Sequence, residues 1–324
     1  MTKNLLRLKK LLANFEGKRI GVIGDLMLDQ FIFGCTERIS PEASVPIVFV
    51  EKEMISPGGA GNVASNIASL GGKPSVLGIV GNDDVGRKLL RELEKRNVNI
   101  DGIMKVEDRP TTQKTRVLNR GQHMLRLDRE SVDFINNEVE KNIFSFVFKN
   151  IDNWDGLVIS NYAKGLITKN LAQKIIELAN KNKKPIVGDI GCTGTKYFLY
   201  FKKATLFTPN HKEAFEIAKT DNLEKAGRFI QKQLDCSVLI TQGPGGVTLF
   251  EGSKINHFPA VAKKIFDVSG AGDTVVAVFI LAMVSGFTLE EAAILANKAA
   301  QIVIGKTGTA QVYNSELAES LEKE

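Results

Sequence analysis

The stretch from Asp267 to Val284 reads DVSGAGDTVVAVFILAMV and decides how this 324-residue chain is interpreted. Its second half is apolar enough to form a helix buried on all sides, so the small residues before it must also lie inside the protein. The first amides of a helix lack partners within it, and the positive end of the helix dipole favours anions. Gly270, Ala271 and Gly272 let a ligand approach those amides closely. The stretch therefore predicts a phosphate site at the amino end of a buried helix.

Asp273 lies in the first turn of this predicted helix. A carboxylate is favoured at that end of any helix, so Asp273 could serve only as an N-cap. Beside a bound phosphate, the same carboxylate would be placed to act as a general base on an acceptor hydroxyl. A cap alone does not require three small residues before it, and this favours the catalytic interpretation.

A second glycine-rich segment, PGGAGNVASNIASLGG, spans Pro57 to Gly72. Gly58, Gly59 and Gly61 open a predicted helix whose exposed first turn carries Asn62. The glycines allow close approach of a ligand to the backbone, and the amide of Asn62 offers both a donor and an acceptor to sugar hydroxyls. The segment therefore predicts a sugar site.

The same segment also fits the dinucleotide fingerprint GxGxxA through Gly59, Gly61 and Ala64. Two features of the sequence count against a dehydrogenase. Pro57 and Gly58 are expected to interrupt the entry from a strand, and the fingerprint belongs in the first βαβ unit, which starts much earlier in this chain.

Strand patterns alternate with helix patterns along most of the chain, which predicts an α/β fold with an open, mostly parallel sheet flanked by helices. Two regions, at about residues 30–56 and 111–128, are rich in β-formers and lack crossover helices. We expect them to form a small β-sheet lid on a single domain, residues 1–324, although they could instead extend the main sheet. Both faces of VPIVFV are apolar, so a second subunit is expected to cover the lid.

The remaining strands are predicted at residues 19–24, 75–80, 156–160, 185–189, 205–208, 237–241 and 246–250. Helices are predicted at residues 62–70, 85–96, 139–148, 169–181, 273–285 and 289–304.

Polar residues follow several of the predicted strands, where ligands bind in open α/β sheets. Asp29 is predicted to accept hydrogen bonds from sugar hydroxyls, with a turn or capping aspartate as the less favoured alternative. For Asp25 the turn or cap fits equally well. Asn210 and Glu213, in TPNHKE, match a capping box and are also placed to order the waters of a Mg²⁺ ion. The segment TQGPGG, which starts at Thr241, either lines a nucleotide or forms a plain hairpin turn.

Composition narrows the function classes. Hydrophobic residues make up 43% and charged residues 25%, which excludes general disorder. The net charge of +6 suits acidic small molecules as well as nucleic acid and decides nothing between them.

Three cysteines without a CxxC pair and three scattered histidines exclude a disulfide framework and a zinc site, so a cytoplasmic location is expected. No apolar run reaches the roughly 20 residues of a membrane span, and the basic, amphipathic N-terminus is expected to form a surface helix rather than a signal peptide. We expect neither a membrane nor a nucleic-acid partner.

Together, GGAGNVASNIASLGG and DVSGAGDTVVAVF resemble the two signatures of the PfkB/ribokinase family of carbohydrate kinases. The resemblance implies a ribokinase-like fold, use of ATP and Mg²⁺, and a β lid that clasps a second subunit in a homodimer. The segments RISPEASVPIV, TTQKTRVLNRGQHMLRLDRE, SNYAKG and ANKAAQIVIGKTGTA are similar to those of family members that phosphorylate D-glycero-D-manno-heptose 7-phosphate at C1 for ADP-heptose synthesis.

The resemblance also implies roles for individual residues. Asp273 would be the base, and the amides around Gly270, Ala271 and Gly272 would form an anion hole. The residues that would hold the sugar are Asp29, Gly58, Gly59 and Asn62. The residues that would border ATP and Mg²⁺ are Asn210, Glu213, Thr241, Gly243, Gly246 and Asn297. The residues that fall where some members hold a monovalent cation such as K⁺ are Asp267 and Ser269. Candidates for the existing phosphate of the substrate, with solvated surface charge as their alternative, are Arg116, Arg126 and Lys164.

The chain departs from the heptose kinases in two places. Those enzymes usually have DPKG where this chain has Asp189-Ile190-Gly191-Cys192, which keeps a kinase of another sugar, sugar phosphate or nucleoside as an alternative. Many relatives also carry a fused nucleotidyltransferase domain. This chain ends at Glu324 without the histidine motif of that domain, so a separate nucleotidyltransferase is expected to act downstream. A regulator that binds nucleotide or sugar without turnover is a further alternative, but it would be expected to lose Asp273 or the anion hole.

Overall fold

A computed structural model describes residues 3–191, 195–260, 267–306 and 308–322 of the protein. Within these ranges, nine strands form the main sheet in the order β13-β12-β11-β10-β9-β8-β1-β4-β5. Their bounds are β1 Arg19–Gly24, β4 Lys73–Gly81, β5 Asn99–Val106, β8 Gly156–Asn161, β9 Ile186–Ile190, β10 Leu206–Phe207, β11 Ser237–Thr241, β12 Val247–Glu251 and β13 Lys254–Phe258. In this spatial order, every neighbouring pair between β11 and β5 is parallel. At the other edge, β12 and β13 are added as antiparallel strands. The predicted mostly parallel sheet is confirmed.

Helices cover both faces of this sheet. Their bounds are α1 Lys3–Leu12, α2 Ala60–Ser69, α3 Asp84–Glu94, α4 Asn137–Asn150, α5 Lys169–Lys181, α6 His211–Ala218, α7 Leu223–Leu234, α8 Ala271–Val284, α9 Leu289–Val303 and α10 Asn314–Ser320. Alternate residues of the central strands point to opposite layers. Val22 and Val158 pack into the core beneath α2, α8 and α9, whereas Ile23 and Ile159 pack beneath α4 and α5. Among the described helices, none combines the length and apolar character needed to cross a bilayer.

The two insertions form a separate four-stranded sheet in the order β3-β2-β6-β7. Its strands are β2 Leu26–Ile39, β3 Pro46–Gly59, β6 Thr112–Asn119 and β7 Gln122–Arg129. The alternative that these strands extend the main sheet is therefore wrong, and the insertions run slightly beyond their predicted limits of 30–56 and 111–128. The expected break at Pro57 and Gly58 is also wrong, because β3 pairs with β2 as far as Gly59 and leads directly into α2. This second sheet carries the chain to the amino end of α2.

Candidate active site

Asp273 lies in the first turn of α8, where its side chain is buried. The side-chain amide of Asn62, on α2, donates a hydrogen bond to Oδ2 of Asp273 at 2.8 Å. The phenol of Tyr162, directly after β8, donates to Oδ1 at 2.5 Å. Burial raises the pKa of Asp273 to about 6, while these two hydrogen bonds oppose the rise. A carboxylate with such a pKa is ionised at neutral pH and suited to accept a proton.

The structure does not support the view that Asp273 serves as a cap. The N-cap residue of α8 is Gly270, without a side-chain cap bond, and the hydrogen bonds to the carboxylate of Asp273 come from other elements. The expectation that Asn62 lies in an exposed turn is wrong. The first turn of α2 packs against α8, and Asn62 is completely buried.

The glycines before α8 have distinct surroundings. Gly270 has a left-handed φ of +78°, and a Cβ added there would overlap the side-chain nitrogen of Asn62. A Cβ added at Gly272 would meet no heavy atom within 4 Å. The amino end of α8 is therefore tightly packed on the side of the carboxylate and open on the side of a cavity. The anion hole stays a prediction, and this geometry leaves room for it.

The second sheet brings further polar groups to this site. Asp29, on β2, is buried, and the guanidinium of Arg116 on β6 donates to its Oδ1 at 2.5 Å. The same guanidinium lies 5.2 Å from the centre of the Phe31 ring. A Cβ added at Gly58 would overlap the carboxylate of Asp29, so glycine permits the close approach of β3. Asp29 is thus a strand residue rather than a turn or cap. The side chain of Arg116 is only 14% exposed, unlike a solvated surface charge.

Arg126 and Lys164, the other predicted phosphate-binding residues, differ from each other. Arg126 is 54% exposed and bonds the carboxylate of Asp128 at 2.8 Å. Lys164 is 9% exposed and donates to Glu130 at 2.7 Å. Lys164 is therefore not a solvated surface charge. Its largely buried side chain forms an ion pair with Glu130. Its role toward a substrate phosphate stays a prediction.

A cavity of about 290 Å³ lies between α8, α9 and the turn after β11. Most of its lining is apolar, which suits the ring of a nucleoside. The predicted nucleotide residues on its wall are Thr241, Gly243, Gly246 and Asn297. The hairpin interpretation of TQGPGG is confirmed, because this segment connects the antiparallel strands β11 and β12. The same turn forms a wall of the cavity, and its role toward a nucleotide stays a prediction.

A second cavity, of about 250 Å³, adjoins the first and shares Thr241, Gly272 and Val275 with it. Its remaining lining is more polar and includes Asp189 and Glu213. Both cavities reach the amino end of α8 at Gly272.

The acidic side chains of this second cavity have perturbed pKa values. Asn210 and Glu213 form the predicted capping box of α6. Burial raises the pKa of Glu213 to about 7. Burial and the charges of Asp273 and Glu213 raise the pKa of Asp189 well above its usual range. The described residues contain no group of three or more metal-ligating side chains, so a divalent ion here would need ligands besides the protein.

Asp267 joins the loop before α8 to the segment after α9. Its Oδ1 accepts a hydrogen bond from the backbone amide of Ser269 at 2.9 Å, and its Oδ2 accepts one from the backbone amide of Gly308 at 3.1 Å. The two predicted monovalent-cation residues are therefore neighbours in a local turn. Their role toward a cation stays a prediction.

A model of the pfkB family of carbohydrate kinases matches residues 18–316 of the chain. The chain belongs to this family. The resemblance seen in the two glycine-rich segments is confirmed, and the family makes the protein a carbohydrate kinase with ATP as its phosphoryl donor.

This pfkB-family kinase is similar to proteins named Bifunctional protein HldE. It is 42% identical to that of Sulfurimonas denitrificans over 96% of the chain, and 41% identical to that of Geobacter sulfurreducens over 93%. The chain covers 65% and 62% of these two relatives, slightly less than two thirds of their length.

Solved kinase structures share its fold. Escherichia coli phosphofructokinase-2 in complex with potassium matches with a TM-score of 0.75 and 20% identity, covering 95% of this chain and 99% of that one. Arabidopsis thaliana ribokinase complexed with ribose and ATP matches with a TM-score of 0.72 and 18% identity, again over 95% and 99%. The expected ribokinase-like fold is confirmed.

Two residues of this pfkB-family site were not predicted from the sequence. Tyr162 contacts the carboxylate of Asp273, and Asp189 lines the polar cavity. Tyr162 directly follows β8, and Asp189 lies in the last residues of β9. Ligands bind at the carboxyl ends of such strands, and this position was the signal available in the sequence. Asp25, at the same edge, accepts the backbone amides of Tyr162, Lys164 and Leu166 and so shapes the loop that carries Tyr162.

Proposed function

We propose that the protein transfers the γ-phosphoryl group of ATP to the C1 hydroxyl of D-glycero-D-manno-heptose 7-phosphate, giving the 1,7-bisphosphate and ADP. The observation that supports it most is the buried carboxylate of Asp273, held by Asn62 and Tyr162 beside an open helix terminus and two joined cavities. Such a site can hold a nucleotide, a phosphoryl group in transfer and an acceptor hydroxyl together.

In this proposal Asp273 takes the proton of the acceptor hydroxyl as the hydroxyl oxygen bonds to the γ-phosphorus, and the bond from that phosphorus to the bridging oxygen breaks so that ADP leaves. A positioned base contributes about 10² to 10⁴ in rate. The amides at the amino end of α8 stabilise the charge on the transferring group, as fixed dipoles do in phosphoryl transfer. The second sheet, with Asp29 and Arg116 on the side of the site, would cover the sugar and exclude water.

The polar cavity offers carboxylate oxygens of the kind that Mg²⁺ prefers. Asp189 and Glu213 supply hard oxygen atoms, and their mutual repulsion with Asp273 would be relieved by a cation. Mg²⁺ commonly keeps several waters and uses one or two carboxylates together with substrate phosphates. Asp189 and Glu213 would thus hold the ion, partly through water. When bound, the ion neutralises charge on the phosphates.

The heptose assignment rests on the HldE relatives and on the lid segments. We likewise propose that the reaction serves ADP-heptose synthesis and takes place in the cytoplasm. A kinase of another sugar is the second candidate, because Asp189-Ile190-Gly191-Cys192 replaces DPKG. Cys192 of this segment lies outside the described residues. The basic residues Arg116, Arg126 and Lys164 are the candidates for the distal phosphate in either case.

The first test measures ADP release with Mg-ATP and a panel of acceptors: heptose 7-phosphate, sedoheptulose 7-phosphate, fructose 6-phosphate, fructose, ribose and adenosine. We expect turnover selective for heptose 7-phosphate, loss of turnover with EDTA, and a higher rate in K⁺ than in tetramethylammonium salts. Preference for another acceptor would overturn the heptose assignment and keep the kinase. ATP binding without turnover on any member would favour the regulator.

We also propose that the second sheet forms a homodimer interface. Leu125 and Leu127, on β7, are 47% and 59% exposed and lie on the face opposite Arg116. Exposed apolar patches of this kind mark association surfaces. Because a two-fold interface contains each residue twice, Leu127→Glu should weaken the dimer on the order of 100-fold.

Sedimentation velocity of the wild type and of Leu127→Glu measures this effect. Leu199→Glu is the control, since Leu199 is 47% exposed outside the second sheet. A wild-type monomer at micromolar concentration, or equal dissociation of both variants, would contradict the proposed interface.

A further inference from the structure

Tyr162 lies at the reacting end of the candidate site, and its ring fits between two glycines. A Cβ added at Gly191 would lie 2.8 Å from Cδ1 and 3.3 Å from Cε1 of the ring. A Cβ added at Gly59 would lie 3.4 Å from Cδ2, on the other edge. A real Cβ essentially never comes as close to a ring as 2.8 Å, because atoms of protein interiors are already in contact at larger separations. The ring therefore keeps its present place only while residue 191 is glycine.

The phenol uses this place to reach the base. Its oxygen lies 2.5 Å from Oδ1 of Asp273, while the amide of Asn62 bonds Oδ2 at 2.8 Å. One donor on each oxygen fixes the plane of the carboxylate. Each oxygen keeps a further lone pair that can accept the proton of an acceptor hydroxyl. Burial and the nearby acids raise the pKa of Tyr162 well above 10, so the phenol remains a donor throughout the working range of pH.

The surroundings of Asp273 are otherwise acidic. Asp29 faces it from β2 and raises its pKa, although Arg116 pairs with Asp29. Asp189 faces it from the end of β9, with Glu213 of α6 beyond. Against these charges and the burial, the hydrogen bonds from Asn62 and Tyr162 favour the ionised form.

We propose that Tyr162 is a positioning residue for the base: its phenol holds the carboxylate of Asp273 oriented and ionised, and Gly191 provides the space that its ring requires. This inference rests on the proposed function of Asp273. It adds a role for the segment Asp189-Ile190-Gly191, which departs from the heptose kinases at this point.

The first experiment replaces the phenol alone. A hydrogen bond to a charged group contributes about 1.5–3 kcal/mol, so Tyr162→Phe should lower kcat by roughly 10- to 100-fold. The acidic limb of the pH–rate profile should move upward by about one to two pH units, since one unit corresponds to about 1.4 kcal/mol. Tyr200→Phe, on the 195–201 segment away from the site, is the matched control. An unmoved acidic limb, or a rate loss no larger than that of the control, would overturn the proposal.

A second variant tests the glycine. Gly191 does not have a left-handed φ, so alanine fits its backbone and the added methyl meets the ring. Gly191→Ala should shift the acidic limb in the same direction as Tyr162→Phe. In the double variant, Gly191→Ala should add no further shift, because no phenol remains to be displaced. Equal shifts in both backgrounds would show that Gly191 acts independently of the phenol and would overturn its part of the proposal.

A third measurement needs no turnover and separates this inference from the proposed function. The melting temperature of Asp273→Asn minus that of the wild type is recorded between pH 4 and 9, with and without Tyr162→Phe. This difference grows between the pKa of Asp273 in the unfolded chain and its pKa in the folded protein, so the pH at which the difference levels off reports the folded-state pKa. We expect Tyr162→Phe to move this levelling-off pH upward by about one to two units. A raised levelling-off pH in a protein inactive on every acceptor would keep the role of Tyr162 and reject the reaction. An unchanged levelling-off pH in an active kinase would reject the role of Tyr162 alone.

Discussion

Asp273→Asn is expected to lose about 10²- to 10⁴-fold in turnover while the protein still folds and binds ATP, because the amide cannot accept the proton of the acceptor hydroxyl. Asparagine keeps the shape of the side chain, and its oxygen can still accept the hydrogen bond from Asn62. ATP affinity should be equal or tighter, since a negative charge is removed beside the phosphates. Initial rates and calorimetric titration with Mg-ATP measure the two effects. Near-normal turnover would reject Asp273 as the base.

The same variant should be more stable than the wild type at neutral pH. The pKa of Asp273 is about 6 in the folded protein, above its ordinary value of 3.8. Its contribution to stability is therefore fully present below pH 3.8 and is lost as the pH rises through 6. At neutral pH the ionised, buried carboxylate costs up to about 3 kcal/mol, a cost that asparagine does not carry.

Melting temperatures of the wild type and of Asp273→Asn between pH 4 and 8 check the predicted direction of this stability change. The gain from Asp273→Asn should grow from pH 4 to about 6 and stay level above it. Asp101→Asn, at an exposed position of β5, should show no such gain. A gain that instead disappears with rising pH would contradict the raised pKa. A base maintained at the expense of stability is typical of a site selected for chemistry.

The central strands and helices were predictable because each of them has one burial pattern along its whole length. Continuous apolar character gave β1 and β11 their observed bounds, Arg19–Gly24 and Ser237–Thr241, since both faces of these strands are buried. The amphipathic pattern gave α5 its bounds, Lys169–Lys181. The edge strands β5 and β13 were missed, because strands at an edge carry mixed polar and apolar residues that resemble loops.

The site was only partly predictable for a different reason. A glycine-rich helix terminus is visible in a short stretch of sequence, so Gly270 and Asp273 were recognised from the sequence. The hydrogen bond of Tyr162 to Asp273 joins residues 111 positions apart and depends on how the loop after β8 is held by Asp25. The burial of Asn62 likewise follows from the packing of α2 against α8, which no local pattern reveals.

Gly270→Ala is expected to lower turnover on the order of 100-fold, because it breaks the hydrogen bond between Asn62 and the charged Asp273 and displaces the amino end of α8. A left-handed φ of +78° costs an L-residue roughly 1–2 kcal/mol, so the melting temperature should fall as well. The new Cβ would also overlap the side-chain nitrogen of Asn62.

Gly272→Ala is the matched control, two residues along the same turn. Its added methyl meets no protein atom within 4 Å, and its φ is not left-handed. Alanine is favoured over glycine in a helix by about 1 kcal/mol, so this variant should melt at an equal or higher temperature. Because the methyl enters the space where a phosphate would lie, the KM for ATP should rise while the acidic limb of the pH–rate profile stays in place. Calorimetry and initial rates on the two variants separate these effects. If Gly270→Ala kept turnover within twofold of the wild type, the close packing of Gly270 against Asn62 would have no part in catalysis. If both variants lost stability equally, the contrast between a packed and an open side of the helix terminus would be wrong.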